Sequence, residues 1–155
     1  MIWNWKEASV KNDKKFHRQR SGKDFRKFDV KKITLPNTPE PKGHYSSAVV
    51  HNGLIFVSGQ LPRDAVSGSV ETGAIEAQTE LALRNVEAIL LAAGSDLNHV
   101  LQMTIYISDI ELWSRVNAVY ARIFGEHKPA RAIVPVKDLH FGTQIEIQAI
   151  AMVKE

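Results

Sequence analysis

Two charged residues stand where an apolar strand offers them little reason to be. Arg131 lies inside Ala130-Arg-Ala-Ile-Val-Pro-Val136, an otherwise apolar run. An arginine stays charged at any ordinary pH and is rarely buried without a partner, and its planar fork matches a carboxylate bidentately. The chemistry it offers is capture of an acid. Glu146 sits in Gln144-Ile-Glu-Ile-Gln-Ala-Ile150, where Ile145, Ile147, Ala149 and Ala151 alternate with Gln144, Glu146 and Gln148. It belongs to the more polar face of its strand, which by itself needs no special explanation. The plainer reading of both residues is a cross-strand Arg131–Glu146 ion pair, worth little if exposed. Pattern alone leaves both readings open.

Other chemistries find less support. Six histidines are present, but His44, His51, His99, His127 and His140 show no i,i+2 or i,i+4 pairing with one another or with an acid, and His17 lies in an N-terminal tail. No metal site is expected. Gly53, Gly59, Gly68 and Gly73 match neither dinucleotide nor nucleoside-triphosphate spacing. Ser58-Gly59 lacks the glycine two residues before the serine, where Phe56 stands, so a hydrolase nucleophile elbow is not indicated. Cysteine is absent, which excludes disulfides, thiolate catalysis and cysteine-ligated metals.

The elements that must hold Arg131 and Glu146 can be read along the chain. A length of 155 residues with 44% apolar content suits one soluble domain with a real core. Charge is divided unevenly. Residues 1–32 hold eleven basic and four acidic residues, a net of +7, whereas residues 33–155 hold nine and thirteen, a net of −4. The first segment reads as a basic, flexible or loosely docked extension interleaved with Trp3, Trp5, Phe16, Phe25 and Phe28; the second reads as the domain. Leu35 to Gly43, with three prolines, reads as an extended link. No run is apolar enough to span a bilayer and no secretory signal is visible, so a cytoplasmic location is expected.

Ser46–Val50 and Leu54–Ser58 flank Asn52-Gly53, the strongest short hairpin signal. Residues 74–93 read as a helix with Ala82, Val86, Ile89 and Ala93 on one face, a Glu80–Arg84 pair on another, and Gly94 as its stop. Residues 100–107 form a strand. Ser108-Asp-Ile-Glu111 has capping-box spacing for a second helix, with Ile110, Trp113, Val116, Tyr120 and Phe124 as its buried stripe and Gly125 at its end. Residues 130–136 and 143–153 are two further strands. The order β-β-α-β-α-β-β predicts an α+β domain with two helices on one face of a mixed sheet.

Several stretches carry a family resemblance: Gly43-His-Tyr-Ser-Ser-Ala-Val49, Leu54-Ile-Phe-Val-Ser-Gly-Gln-Leu-Pro62, Gln78 with Leu83 and Asn85, Ala92-Ala-Gly94, Val116-Asn-Ala-Val-Tyr120, Pro129-Ala-Arg-Ala132 and Ile145-Glu-Ile-Gln-Ala-Ile-Ala151. In that order, over residues 33–153, the chain resembles the RidA (YjgF) family of imine/enamine deaminases. The resemblance implies a chorismate-mutase-like fold, a homotrimer with clefts between neighbouring subunits, and hydrolysis of 2-iminopropanoate and 2-iminobutanoate to 2-keto acids and ammonia without a cofactor. Arg131 matches the family arginine that grips the substrate carboxylate, and Glu146 the glutamate that holds the attacking water. Tyr45, Ser58, Gly59 and Asn117 match positions lining the pocket, and Ile133 stands where many members have cysteine. Further departures are His44 in place of proline before the tyrosine, Gln148 in place of a second acid, and Phe141-Gly142 before the last strand.

Two other classes of function fit parts of the chain. Some members of this family are described as endoribonucleases or translation inhibitors, and the basic tail could bind RNA through phosphates and stacking; the acidic domain argues against it. A non-catalytic small-ligand or chaperone-like module could use the same cleft, but binding alone would need only the arginine. The expected partners are thus a small imino or keto acid and further copies of the chain, with no membrane.

Overall fold

The Asn52-Gly53 turn organises the first half of the sheet. Both residues have positive φ, 50° and 78°, as a tight two-residue hairpin loop requires. The turn joins β2 (Ala48–His51) to β3 (Leu54–Gln60) in antiparallel register. The computed structural model describes residues 30–36, 38 and 43–154. The expected basic extension lies outside the described residues up to position 29. The expected boundary at residue 32 falls inside a short strand not foreseen, β1 (Lys31–Ile33), which pairs with β2.

After β3 come helix α1 (Ile75–Ala92), β4 (Val100–Ile107), α2 (Trp113–Phe124), β5 (Ala130–Pro135) and β6 (Ile145–Met152). The six strands lie in the order β1-β2-β3-β6-β4-β5. Only β4 and β5 are parallel; the other pairs are antiparallel. The fold is therefore the expected α+β architecture, two helices on a mixed open sheet.

One face of the sheet is covered. Ile55, Met103, Ile105, Ile107, Ile145 and Ile147 are fully buried against Leu83, Val86, Ile89 and Leu90 of α1 and Val116 of α2. Burying each large aliphatic side chain contributes about 1.5–3 kcal/mol. Buried Gln78 ties α1 to the start of β6: its Nε2 donates to the Gly73 carbonyl at 2.9 Å, and its Oε1 accepts from the Gln144 amide at 2.8 Å. The expected Glu80–Arg84 pair is present on the exposed side of α1.

Two local expectations fail. Asp109, not Ser108, caps the turn before α2, accepting from the Glu111 amide at 3.0 Å. The Ser108 amide is still engaged with the Gln144 carbonyl at 3.1 Å, so the strand pairing runs one residue further. The expected stripe also stops short: Val116, Tyr120 and Phe124 are buried, but Ile110 and Trp113 are 51% and 41% exposed. Residues 110–112 form a 3₁₀ turn, whose three-residue period breaks the α-helical phase.

Candidate active site

Strand parity decides where the two charged residues go. Arg131 pairs with Met103 and Ile133 with Ile105 across the parallel β4–β5 ladder, and both partners are fully buried under the helices. Arg131 and Ile133 therefore face the helix layer. On β6, Ile145 and Ile147 face the helices, so Glu146 between them faces the other side, opposite Tyr106 of β4. The cross-strand ion pair is overturned: β4 separates the two strands, and the side chains leave opposite faces of the sheet. By the same parity, a single chain carries Arg131 and Glu146 on opposite faces of its sheet.

The Arg131 half belongs to α2 and β5. One guanidinium nitrogen donates to Asn117 Oδ1 at 2.9 Å. The guanidinium lies 4.5 Å from the Tyr120 ring centroid and 5.9 Å from that of Trp113, a cation–π arrangement that holds the fork flat. Tyr120 is stacked on Phe124 with centroids 4.3 Å apart. Burial pushes the Tyr120 phenol up to about 12, against the opposing influence of Arg131, so it stays neutral. Its hydroxyl is the one buried side-chain polar atom without a hydrogen bond among the described residues. A groove of about 380 Å³, with Asn117, Tyr120, His127, Lys128 and Arg131 in its wall, opens here. No carboxylate forms an ion pair with Arg131 among the described residues. Its hydrogen-bond acceptor among the described residues is a neutral amide oxygen, which leaves the rest of the fork for a ligand.

The Glu146 half is built on β2, β3 and β6. Gly59 sits at an irregularity in the β3–β6 ladder between Val57 and Gln60. A Cβ on Gly59 would lie 1.9 Å from Glu146 Oε1, so only glycine lets the carboxylate rest there. Ser58 is fixed to the residues just before β2, its Oγ donating to the Ser46 carbonyl at 2.7 Å and its amide to the Ser47 carbonyl at 3.0 Å. Ser46 and Ser47 in turn line a cavity of about 450 Å³ with Lys32, Thr34, His44 and Tyr45. Tyr45 is 59% exposed.

The site residues named from the sequence thus fall into two groups. Arg131, Asn117 and Ile133 share the helix-facing edge, while Glu146, Gly59, Ser58 and Tyr45 share the other side. The apolar stripe read from the sequence gives Trp113 and Tyr120 to the core alone. Their spacing with Asn117, four and three residues apart, already placed all three on one helix face. No group of three or more metal-ligating side chains gathers among the described residues, and no helix there is long and apolar enough to cross a membrane.

These elements define a small two-layer α+β protein whose polar side chains are split between the two faces of its sheet. The chain belongs to the Endoribonuclease L-PSP family, the YjgF/RidA group, whose model matches residues 35–153. It is 44% identical over 119 residues to a RutC family protein of Pyrococcus horikoshii, covering 77% of this chain and 94% of that one. It is 37% identical over 120 residues to human 2-iminobutanoate/2-iminopropanoate deaminase, covering 77% and 88%. The crystal structure of Escherichia coli TdcF with bound serine superposes with a TM-score of 0.74 at 33% identity, covering 80% of this chain and 99% of that one.

Proposed function

We propose that the protein hydrolyses 2-imino acids to 2-keto acids and ammonia, without a cofactor, in a cleft that two neighbouring copies complete within a homotrimer. The observation that carries this is the Arg131 fork, oriented by Asn117 and flanked by two rings, with no acid of the described chain opposing it. A charge placed so is a receptor for a carboxylate. The human relative is named for this reaction, and serine, bound in TdcF, carries the same carboxylate. The free sheet face supports the assembly: Phe56, Ile150 and Met152 add apolar surface beside Glu146, and Phe56 and Met152 are 41% and 43% exposed. A cytosolic location belongs to the same reading.

In this mechanism Arg131 holds the α-carboxylate and fixes the C=N carbon. Glu146 of the adjoining copy accepts a proton from water as its oxygen adds to that carbon. That proton passes to the imine nitrogen to give a neutral carbinolamine; its hydroxyl proton then moves to the amine as the C–N bond breaks, so ammonia leaves and the C=O bond forms. The imine carbon is already electrophilic, so positioning and general-base help supply the acceleration; the second is typically worth 10²–10⁴-fold. The test generates 2-iminobutanoate in situ and follows keto-acid release. Arg131→Lys keeps the charge and loses the fork, so it should lose most of the rate with the fold intact; wild-type turnover by this variant overturns the reading. The family description alone favours RNA cleavage, and labelled RNA incubated in parallel tests that second reading.

A further inference from the structure

The cavity beside Tyr45 holds more positive charge than a simple imino acid needs. Lys32 projects from β1 on the open face of the sheet, in register with Val49, and lines the cavity together with His44 and the hydroxyl-bearing Thr34, Tyr45, Ser46 and Ser47. No carboxylate lines it among the described residues, and neither Lys32 nor His44 makes an ion pair there. An unopposed ammonium among hydroxyl and imidazole donors is an anion receptor. The cavity wall is tied to the Glu146 half of the site: the Ser46 and Ser47 carbonyls accept from Ser58, and the next residue, Gly59, lies against Glu146.

We infer that this cavity takes a second carboxylate, so that the preferred substrates are 2-imino acids with an acidic side chain. The inference rests on the deaminase reading above. Arg131 accounts for the α-carboxylate, and a volume of about 450 Å³ accommodates a further two-carbon acid arm. The chemistry is unchanged for such a substrate. Water oxygen adds to the imine carbon, the C–N bond breaks, ammonia leaves, and a 2-keto diacid is released.

The experiment compares 2-iminosuccinate with 2-iminobutanoate, each produced in situ by an amino-acid oxidase and each followed by reduction of the keto acid with a coupled dehydrogenase. The wild-type protein should show the higher kcat/KM for 2-iminosuccinate. Lys32→Ala combined with His44→Ala should lower the ratio of the two constants about tenfold through KM, and Lys32→Glu should reverse the preference. Both positions are exposed, so thermal unfolding should stay unchanged. Acceleration of 2-iminobutanoate without a preference for the diacid, or a preference that survives both variants, overturns this inference and leaves the deaminase reading standing. Acceleration of neither imine refutes both.

Discussion

Gly59→Ala isolates the position of the Glu146 carboxylate from its presence. The new Cβ would fall 1.9 Å from Oε1, 2.8 Å from Cδ and 3.2 Å from Cγ, where contacts under 3.0 Å are not tolerated. The carboxylate oxygen must therefore retreat by about 1.1 Å or more, and the rotation reaches back into the side chain. A misplacement of about 1 Å at a reacting group can cost about 10²-fold in rate. Stability should hardly move. Gly59 is outside the left-handed region, so alanine gains about 0.4–1 kcal/mol through the unfolded chain, while an off-rotamer glutamate costs about 0.5–1.5 kcal/mol. The assay is keto-acid release from 2-iminobutanoate, with thermal unfolding as the control. Adding Glu146→Gln to Gly59→Ala should cost little more than either alone, because both remove one function. Full turnover by Gly59→Ala, or fully multiplicative losses in the double variant, would show that Glu146 does not act from the place described.

Two further substitutions test the environment of the site and the acid response of the fold. Tyr120→Phe removes the buried hydroxyl that has no partner while keeping the ring under Arg131; it should leave the unfolding midpoint equal or raised, since an unsatisfied buried group costs about 1–3 kcal/mol. A clear drop in midpoint would show that the hydroxyl is paired in solution. Lys154 and His99 beside Asp96 hold its carboxyl below the usual carboxylate range. Its contribution should be complete above the unfolded value near 4 and fade as pH falls below it; wild type should thus exceed Asp96→Asn in chemical denaturation at pH 7, with the gap closing at acid pH.

What the sequence revealed of this fold was local. Asn52-Gly53 announced its turn because positive φ at two successive residues is a demand few pairs meet, and β4 declared itself through an unbroken run of large and β-branched residues. β1 escaped notice because Lys31-Lys32-Ile33 has no pattern of its own; pairing with β2 makes it a strand. The insertion of β6 between β3 and β4 is equally non-local. It is also what separates Arg131 from Glu146. The two lie on strands consecutive in sequence, which made an ion pair between them plausible, yet β4 intervenes and the parities differ. The residues of the site were legible by type and by resemblance. Their division between the two faces required the sheet order and the register together.

That division makes a quantitative demand on the assembled protein. If one copy supplies Arg131 and the next supplies Glu146, two individually dead variants should restore each other. A chain with Arg131→Lys still carries a sound Glu146, and a chain with Glu146→Gln still carries a sound Arg131. After equal parts are unfolded and refolded together, a cleft works only when its arginine comes from the second variant and its glutamate from the first. In any closed ring with random mixing, that happens in about one quarter of the clefts, whatever the number of copies. The mixture should therefore recover about a quarter of the wild-type rate, against almost none for either variant refolded alone. The recovered rate should be lost if each variant is refolded first and the two are combined without subunit exchange. No recovery on co-refolding would mean that no cleft joins Arg131 of one chain to Glu146 of another, and since these side chains leave opposite faces of the same sheet, the proposed mechanism would have no place left to occur.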